Sequence, residues 1–277
     1  MDMSDISGCS KDIGFLSSMK RNIVEIYESR TILKSLVSKE LFGHYRNSFL
    51  GFGWHFVMPI IMLCVYYLAF NTIREGSMDN FWVYIASALF PFNFMISNLT
   101  GGSGTVVNGA GMIKKMYFPR EIIVLAKIIS SFIVMLMGYG AVLCIIALSG
   151  FPLEPVPLLV LPLLLFLMSL FVTGYCLFFS SITVYIRDIQ YALSSISIAF
   201  FFVTPMYFVA DSVSGLFKTV IWVNPFTYFV EAYHQIVYYG SIPDTPILIM
   251  CCLLPLITIT IGYIVFKKLE RGFAERL

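Results

Sequence analysis

Long windows without a charged residue dominate the chain. Six of these windows reach the roughly 20 residues that a helix needs to cross about 30 Å of hydrocarbon. They comprise residues 47–73, 80–113, 128–153, 155–186, 189–210 and 245–266. Because backbone polar groups in lipid must be satisfied within the chain, this pattern predicts an all-α membrane protein with six transmembrane helices. The alternating strands of a membrane barrel would give a different pattern.

Residues 211–244 do not fit a membrane span. Lys218 and Glu231 divide them into uncharged runs that are too short to cross the bilayer and too apolar for a solvated loop. Asn224-Pro225 breaks the helix in the middle, since proline lacks the N–H that a continuing helix needs. This pattern predicts a re-entrant helical hairpin over about residues 212–240, with an interfacial aromatic loop as the alternative. Four residues of this hairpin are candidates for an outer gate: Trp222, Asn224, Pro225 and Phe226.

Residues 31–46, just before the first window, place apolar and polar side chains on opposite faces of a helix. Only Phe42 falls on the polar side. Such a segment is typical of an amphipathic helix that lies in a membrane interface. Its apolar face consists of Ile32, Leu33, Leu36, Val37, Leu41 and Tyr45. We therefore divide the chain into a variable cytoplasmic tail (1–30), an interface helix (31–46) and a transmembrane domain (47–277).

The composition independently favours a membrane protein. Of the 277 residues, 58% are hydrophobic and 12% are charged, against roughly 25% charged residues in an average soluble domain. A mean hydropathy of +0.85 leaves too little polar surface to cover a water-soluble domain. The same figures exclude a disordered chain and a coiled coil, and a net charge of +2 is too small to indicate nucleic-acid binding.

The basic residues are concentrated on one side of the predicted spans. Of 18 lysines and arginines, only Arg74 and Lys218 fall in the loops on the other side. The positive-inside rule therefore places both termini in the cytoplasm, and an even number of spans agrees, since it puts both termini on one side. The first 46 residues contain no long apolar run, so we expect no cleavable signal peptide.

The sequence contains no recognisable catalytic or nucleotide-binding motif. There is no GxxxxGKS/T pattern, and the glycine-rich run at 101–104 lacks the lysine that such a motif requires. Glu231 and His234 have Glu-x-x-His spacing, but a di-iron site needs a second copy and further glutamates. The spans contain almost no acidic residue, which argues against an ion-driven carrier. We therefore predict no catalytic residue, no metal and no cofactor held by this chain.

Aromatic residues make up 16% of the chain, and several of them lie in the middle of predicted spans. Most can be explained by ordinary packing and by belts at the membrane interfaces. A second interpretation is a conduit lined with aromatic rings, which offer an apolar face to sugar C–H groups. The candidates for this substrate channel are Tyr66, Tyr67, Phe70 and Phe201.

Short motifs follow one another from about residue 31 to the end of the chain. They are Leu36-Val37-Ser38-Lys39-Glu40-Leu41, Tyr45-Arg46-Asn47-Ser48-Phe49-Leu50-Gly51 with Trp54 and Pro59, Asn108, Ile113-Lys114-Lys115, Phe118-Pro119-Arg120-Glu121, Arg187-Asp188-Ile189, Thr204-Pro205-Met206-Tyr207, Asn224-Pro225 and Phe273-Ala274-Glu275. As an ordered set they resemble the ABC-2 type permeases that export polysaccharides.

This resemblance implies the transmembrane subunit of an O-antigen or capsular polysaccharide exporter in a bacterial cytoplasmic (inner) membrane. In that family two copies form a channel, and two separate ATPase subunits bind ATP and dock underneath. The substrate is a long glycan on a lipid anchor, and teichoic acid exporters share the same pattern. We therefore expect a homodimer with two ABC ATPase partners and a lipid-linked polysaccharide as substrate.

The loop between the second and third predicted spans, residues 108–127, is a candidate surface for coupling to the ATPase. The resemblance implies that this loop and the N-terminal helix contact the ATPase, and buried aromatics tend to dominate interface energy. The alternative is that its basic and aromatic residues mark only topology and the membrane interface. The coupling candidates are Lys114, Lys115, Met116, Tyr117, Phe118, Arg120 and Glu121, with Arg187 and Asp188 in the next cytoplasmic loop.

Three other functions remain open at the level of sequence. An ABC-2 permease for drugs or lipids would share the same architecture. A secondary carrier usually shows inverted repeats, and none is evident here. A membrane-bound glycan-modifying enzyme would need polar catalytic groups inside the membrane. ATP-driven export of a lipid-linked polysaccharide is the function that the sequence favours.

Overall fold

The structure, a computed structural model, describes residues 25, 27–43, 51–54, 57–58, 60–65, 68, 79–115 and 118–277. Within these ranges the secondary structure is helical, with no strand. The main helices are α1 (Arg30–Gly43), α2 (Phe81–Ser103), α3 (Glu121–Leu148), α4 (Leu161–Thr183), α5 (Ile189–Val203), α6 (Leu216–Val223), α7 (Pro225–Val237) and α8 (Thr245–Leu269). Single helical turns occur at Thr105–Asn108, Ala110–Ile113, Pro155–Leu158 and Phe273–Arg276, and 3-10 turns at Gly51–Gly53, Ala210–Ser212 and Glu270–Gly272.

Among the described residues, four helical segments are long and apolar enough to cross a membrane. They are Phe81–Ser103, Glu121–Leu148, Pro155–Thr183 and Thr245–Gly272, and each overlaps one of the six predicted windows. The first predicted span, 47–73, lies largely outside the described residues. In the fifth window, α5 has only 15 residues. The structure therefore shows an all-helical protein with four candidate spans, and it does not confirm the predicted count of six.

Two of the predicted boundaries are wrong at the end of the bundle where α2 finishes and α3 begins. α2 ends at Ser103 and not at residue 113, because the chain breaks at Gly104 and again at Gly109 into two single turns. α3 begins at Glu121 and not at residue 128. The absence of charge was a poor guide here, since the two charged residues of α3 before residue 128 are both paired: Glu121 with Lys267 of α8 and Lys127 with Glu40 of α1.

α5 is also shorter than its predicted window. The helix ends at Val203, and Thr204 has an extended backbone conformation with ψ of 131°. The cause is Pro205, which cannot donate an N–H to a continuing helix and disfavours helical geometry in the residue before it. The chain from Thr204 to Tyr207 is nevertheless buried, so its backbone polar groups need partners inside the protein.

α2 lies at the centre of the bundle. The most closely packed pair of helices is α4 with α8. α2 packs against α3, α4, α5 and α7. Where α4 crosses α8, Gly174 faces Gly262, and a Cβ atom added at either glycine would overlap with backbone atoms of the other helix. Small residues that let two backbones touch are a common way of packing membrane helices, because lipid supplies no hydrophobic driving force between them.

α6 and α7 form a helical hairpin that turns at Asn224. Beyond the turn, the ring of Phe226 packs against those of Phe171 and Tyr175, which lie about half-way along α4. At the other end of α7, the hydroxyl of Tyr238 donates to the carbonyl of Asp79, just before α2. α7 thus runs from the middle of the bundle to one end, and most of its side chains are buried.

Candidate functional site

The predicted coupling stretch, residues 108–127, lies at the end of the bundle where α2, α4 and α8 finish and α3 begins. Lys114 and Lys115 are exposed. Met116 and Tyr117 lie outside the described residues. The structure therefore places two cations of the predicted set on the surface.

Phe118 faces the interior of the protein. Its side chain is only 7% exposed and packs with Ile122 and Ile123 at the start of α3. The other side of this cluster is the apolar face of α1, through Ile32, Leu33 and Leu36. The predicted amphipathic face of α1 is thus used against α3 and Phe118, while Phe42, on the opposite side, is 57% exposed.

Arg120 and Glu121 connect the start of α3 to the end of α8. The Glu121 carboxylate is 2% exposed and forms an ion pair with Lys267, which also lies 3.0 Å from a carboxylate oxygen of Glu270. The guanidinium of Arg120 donates to the backbone carbonyl of Glu270. Burial strengthens such an ion pair but also makes it costly to break, since an unpaired charge would remain in a low-dielectric site.

The second predicted coupling loop also contacts the end of α8. Arg187 and Asp188 are exposed between α4 and α5. Just before them, the hydroxyl of Tyr185 donates to the carbonyl of Leu269 over 2.9 Å. Phe273 is fully buried, with its ring beside that of Tyr185 and its face 5.7 Å from the guanidinium carbon of Arg120. The end of α8 therefore joins both loops into one unit.

At the turn of the α6–α7 hairpin, Asn224 has two roles. Its side-chain oxygen accepts from the N–H of Phe226 over 3.0 Å, which caps α7. Its amide nitrogen donates to the hydroxyl of Thr204 over 2.8 Å. Pro225 occupies the first position of α7, where its missing N–H costs nothing. The predicted break at Asn224-Pro225 is thus also a contact with the end of α5.

His234 makes a second contact with the same break, and sequence analysis missed it. One ring nitrogen, Nε2, lies 3.1 Å from the carbonyl oxygen of Pro205, and the other, Nδ1, lies 2.8 Å from the hydroxyl of Ser87 on α2. A carbonyl can only accept, so the hydrogen bond to Pro205 requires that Nε2 carries a proton. The ring also stacks on Tyr84 at 3.8 Å.

These contacts supply hydrogen-bond partners for several polar groups of the buried chain that follows α5. The hydroxyl of Tyr84 donates to the carbonyl of Phe208 over 3.0 Å, next to the bonds from Asn224 and His234. The one sequence signal was Pro205, which ends a helix inside an uncharged window. Nothing in the spacing of His234 indicated its partners, because they come from α2 and from the chain after α5.

Two of the remaining predicted site residues, Trp222 and Phe201, lie near the start of α7 and near the chain after α5. Trp222 is half-buried, and its carbonyl accepts from the hydroxyl of Tyr228 over 2.8 Å. Phe201 is half-buried, with its ring 5.2 Å from that of Tyr207 and 6.3 Å from that of Phe92. Tyr66, Tyr67 and Phe70 lie outside the described residues. The channel role of all four aromatic candidates stays a prediction.

Comparison with known proteins identifies the family. Residues 31–238 match the family of ABC-2 type transporters. This chain belongs to that family. An O-antigen export system permease of Myxococcus xanthus is 24% identical over 262 residues, which cover 94% of this chain and all of that protein. A permease of the same name from Klebsiella pneumoniae is 24% identical over 259 residues, covering 94% of this chain and 98% of that one.

Membership of the ABC-2 family confirms the resemblance that the motifs indicated. It makes the chain a membrane transport subunit, and the four apolar helices make it a multi-pass one. An ABC ATPase partner is implied by the family. Both regions described above are parts of one ABC-2 chain: the loops joined by the end of α8, and the hairpin tied to the break after α5.

Proposed function

We propose that this chain is the channel-forming transmembrane subunit of an ABC transporter that exports a lipid-linked polysaccharide, of O-antigen or capsule type, across the bacterial cytoplasmic membrane. The observation that carries the proposal is the similarity, over 94% of the chain, to two O-antigen export permeases. It is supported by the six predicted windows, which contain no aspartate or glutamate for the carboxylate relay of a proton- or ion-coupled carrier.

The energy for transport comes from a separate subunit. The chain has no phosphate-binding loop of the GxxxxGKS/T type, so ATP is bound and hydrolysed by the partner, and the permease needs no cofactor of its own. Two permease chains and two ATPase subunits form the working transporter, because a conduit for a glycan needs more helices than one chain supplies.

The full topology in the membrane has six spans. α1 lies in the cytoplasmic interface, α6 and α7 re-enter from the outer side, and both termini are cytoplasmic. The distribution of basic residues supports this orientation. The position of Phe226 against the middle of α4 supports a hairpin whose turn lies at membrane depth. Asn224 accepts from the N–H of Phe226, and His234 binds the carbonyl of Pro205, so both supply partners that backbone at membrane depth needs.

Coupling and gating use the two ends of this structure. Exposed Lys114, Lys115, Arg187 and Asp188 contact the ATPase. Phe118, Arg120 and Glu121 transmit its movement to α1, α3 and α8, since they are already packed or paired with these helices. On the outer side the α6–α7 hairpin acts as the gate. Its displacement also moves the break after α5, to which it is hydrogen-bonded.

Deletion of the gene in its native host, with staining of surface glycans and analysis of lipid-linked glycans in the membrane, tests the proposal. We expect surface glycan to disappear while lipid-linked glycan accumulates inside the cell. Complementation with the wild-type gene is the control. Normal surface glycan, combined with altered efflux of drugs or altered distribution of lipids, would contradict the proposal and favour the other class of ABC-2 permease.

A further inference from the structure

Two cavities lie side by side between α1, α2 and α3. One has a volume of about 510 Å³ and the other about 540 Å³. Glu40 of α1 and Lys127 of α3 form part of both walls, and their side chains are 3.1 Å apart. The two cavities are therefore neighbours that adjoin at this ion pair.

The two cavities differ in chemistry. The first lies along α2 and further along α3, where Phe90, Phe94, Val134 and Met135 make its lining mainly apolar. The second lies towards the start of α3 and the loop after α2, where Lys39, Thr105 and Asn108 line it together with several glycines. A polar cavity at the start of α3 and an apolar one further along α3 thus follow each other on the same helix. In the proposed topology the polar cavity lies at the cytoplasmic end and the apolar one at membrane depth.

The residues of α3 that line the two cavities give the length of the combined site. It begins at Ile123 in the polar cavity, passes Lys127 and ends at Met135 in the apolar cavity. At 1.5 Å per residue this is about 18 Å along the helix axis. That length accommodates a lipid headgroup and most of an acyl chain, and the order of the two cavities matches the order of headgroup and chain in the cytoplasmic leaflet.

The charges favour an anion at the boundary. Lys39, Lys127 and one acidic residue, Glu40, line the polar cavity, so its wall carries one excess positive charge next to the boundary. The side chains of Lys127 and Glu40 are 32% and 35% exposed. A partly exposed pair of this kind contributes little to stability and can exchange partners, and a phosphate oxygen is a strong acceptor for a lysine ammonium group.

We propose that these paired cavities bind one anionic phospholipid of the cytoplasmic leaflet. An acyl chain occupies the apolar cavity, and the phosphate lies between Lys39 and Lys127. The lipid fills the space between the interface helix and α2 and α3, so it holds α1 against the bundle. It belongs to the bilayer and is distinct from the exported substrate, so the proposal does not depend on what the transporter exports.

The test uses the full-length protein, purified in detergent and stripped of lipid. Dioleoylphosphatidylglycerol, dioleoylphosphatidylcholine or inorganic phosphate is added, and native mass spectrometry and the melting temperature report binding. We expect one phosphatidylglycerol to be retained per chain, with a saturating rise in melting temperature. Phosphatidylcholine and inorganic phosphate should produce neither effect. Equal binding of the two phospholipids, or an equal rise with phosphate alone, overturns the proposal.

Two variants locate the lipid. Lys39→Met with Lys127→Met should weaken retention of phosphatidylglycerol about tenfold or more, the loss expected for a hydrogen bond to a charged group. Val134→Trp should block the apolar cavity. Their controls are Lys218→Met, which alters an ion pair on the α6 side of the molecule, and Leu136→Trp, whose side chain is 38% exposed on the same helix.

As a control for folding, the variants are compared only when each elutes from a size-exclusion column as a single species without added lipid. If the double lysine variant does not fold, Lys39→Met alone, at an exposed position, and Val134→Trp decide the question. Unchanged retention of phosphatidylglycerol by both cavity variants overturns the proposal. Retention of a lipid-linked diphosphate in preference to phosphatidylglycerol would assign the cavities to the cargo and also overturn it.

Discussion

Glu121 shows how a single residue can mislead a prediction based on charge. A carboxylate at the edge of an apolar run looks like the end of a span, and as part of a loop it looks available to a partner protein. In the structure it is almost completely buried and paired with Lys267 from the far end of the chain. Glu121 is thus the first residue of α3, which begins seven residues before the predicted window at 128.

Replacing Lys267 by Met should destabilise the protein by roughly 2–3 kcal/mol, because it leaves the buried Glu121 carboxylate without a partner. The loss is smaller than for a fully buried pair, since the Lys267 side chain is 26% exposed. Glu121→Gln combined with Lys267→Met should recover part of this stability. The measurement is the melting temperature and denaturation midpoint of purified protein.

Lys218→Met is the matched control for this pair. Lys218 lies 3.0 Å from Asp211, but the two side chains are 44% and 81% exposed, so its loss should cost less than about 1 kcal/mol. Similar losses for Lys267→Met and Lys218→Met would show that the Glu121 pair contributes no more than a surface contact.

Phe118 illustrates the same difficulty for an aromatic residue. Its position in a basic loop fits an anchor for a partner, and the sequence alone could not separate this from burial within the chain. The structure places it beneath α1 with Ile122 and Ile123. Its role in coupling remains a prediction, but any such role acts through α1 and α3 and not through a free side chain.

Among the helices, the contact between α4 and α8 depends on two glycines. Gly262→Ala should lower stability by about 1–3 kcal/mol, because the added methyl group overlaps with the α4 backbone at Gly174 and the helices must separate. Thermal unfolding in detergent, together with the yield of folded protein, checks this expectation.

Gly140→Ala on α3 supplies the control. A Cβ atom at this helical position has nothing within 4 Å, so the change should stabilise the helix by up to about 1 kcal/mol through helix propensity alone. If Gly262→Ala behaved like Gly140→Ala, the close crossing of α4 and α8 would be disproved.

The α6–α7 hairpin makes a prediction about topology. Cysteines placed at Ser214, before α6, and at Ser241, after α7, should both react with a membrane-impermeant thiol reagent added from outside, because both ends of a re-entrant hairpin lie on the same side. Both positions are exposed. The experiment uses cells and a background without native cysteines, and lysed cells show that each site can react.

A cysteine at Lys114 provides the inward control, since it should react only after lysis. Reaction of the cysteines at 214 and 241 on opposite sides of the membrane would make this segment a seventh span. It would also move the C-terminus to the outside.

For the whole molecule, the exposed cations at the α2–α3 loop should determine assembly with the ATPase. Lys114→Glu with Lys115→Glu should reduce co-purification of the partner by about tenfold or more and abolish export, because the charge of an exposed contact is reversed. The permease itself should still insert into the membrane and keep its melting temperature, since both side chains are exposed.

Lys218→Glu is the control at the α6 side of the molecule, and it should leave co-purification unchanged. The purified permease without its partner should hydrolyse no ATP in either form. Unchanged association and export in the double variant would show that the partner docks elsewhere.

The sequence by itself determined the class of the protein. Long uncharged windows located four segments that are candidate spans in the structure, because length and apolarity are local properties. Asn224-Pro225 marked a real break, because proline acts on its own backbone and that of its neighbour. The predicted window 189–210, by contrast, ran through the break at Pro205. The ordered motifs indicated the ABC-2 family, which the comparison of residues 31–238 confirmed.

Only the tertiary structure decided which polar groups meet. Glu121 with Lys267, His234 with Ser87 and Pro205, and Glu40 with Lys127 are each far apart in the chain. No periodicity links such residues, since each pairing is set by how whole helices pack. The same holds for the cavities and for the crossing of α4 and α8, which arise from surfaces of different helices and have no counterpart in any one stretch of sequence.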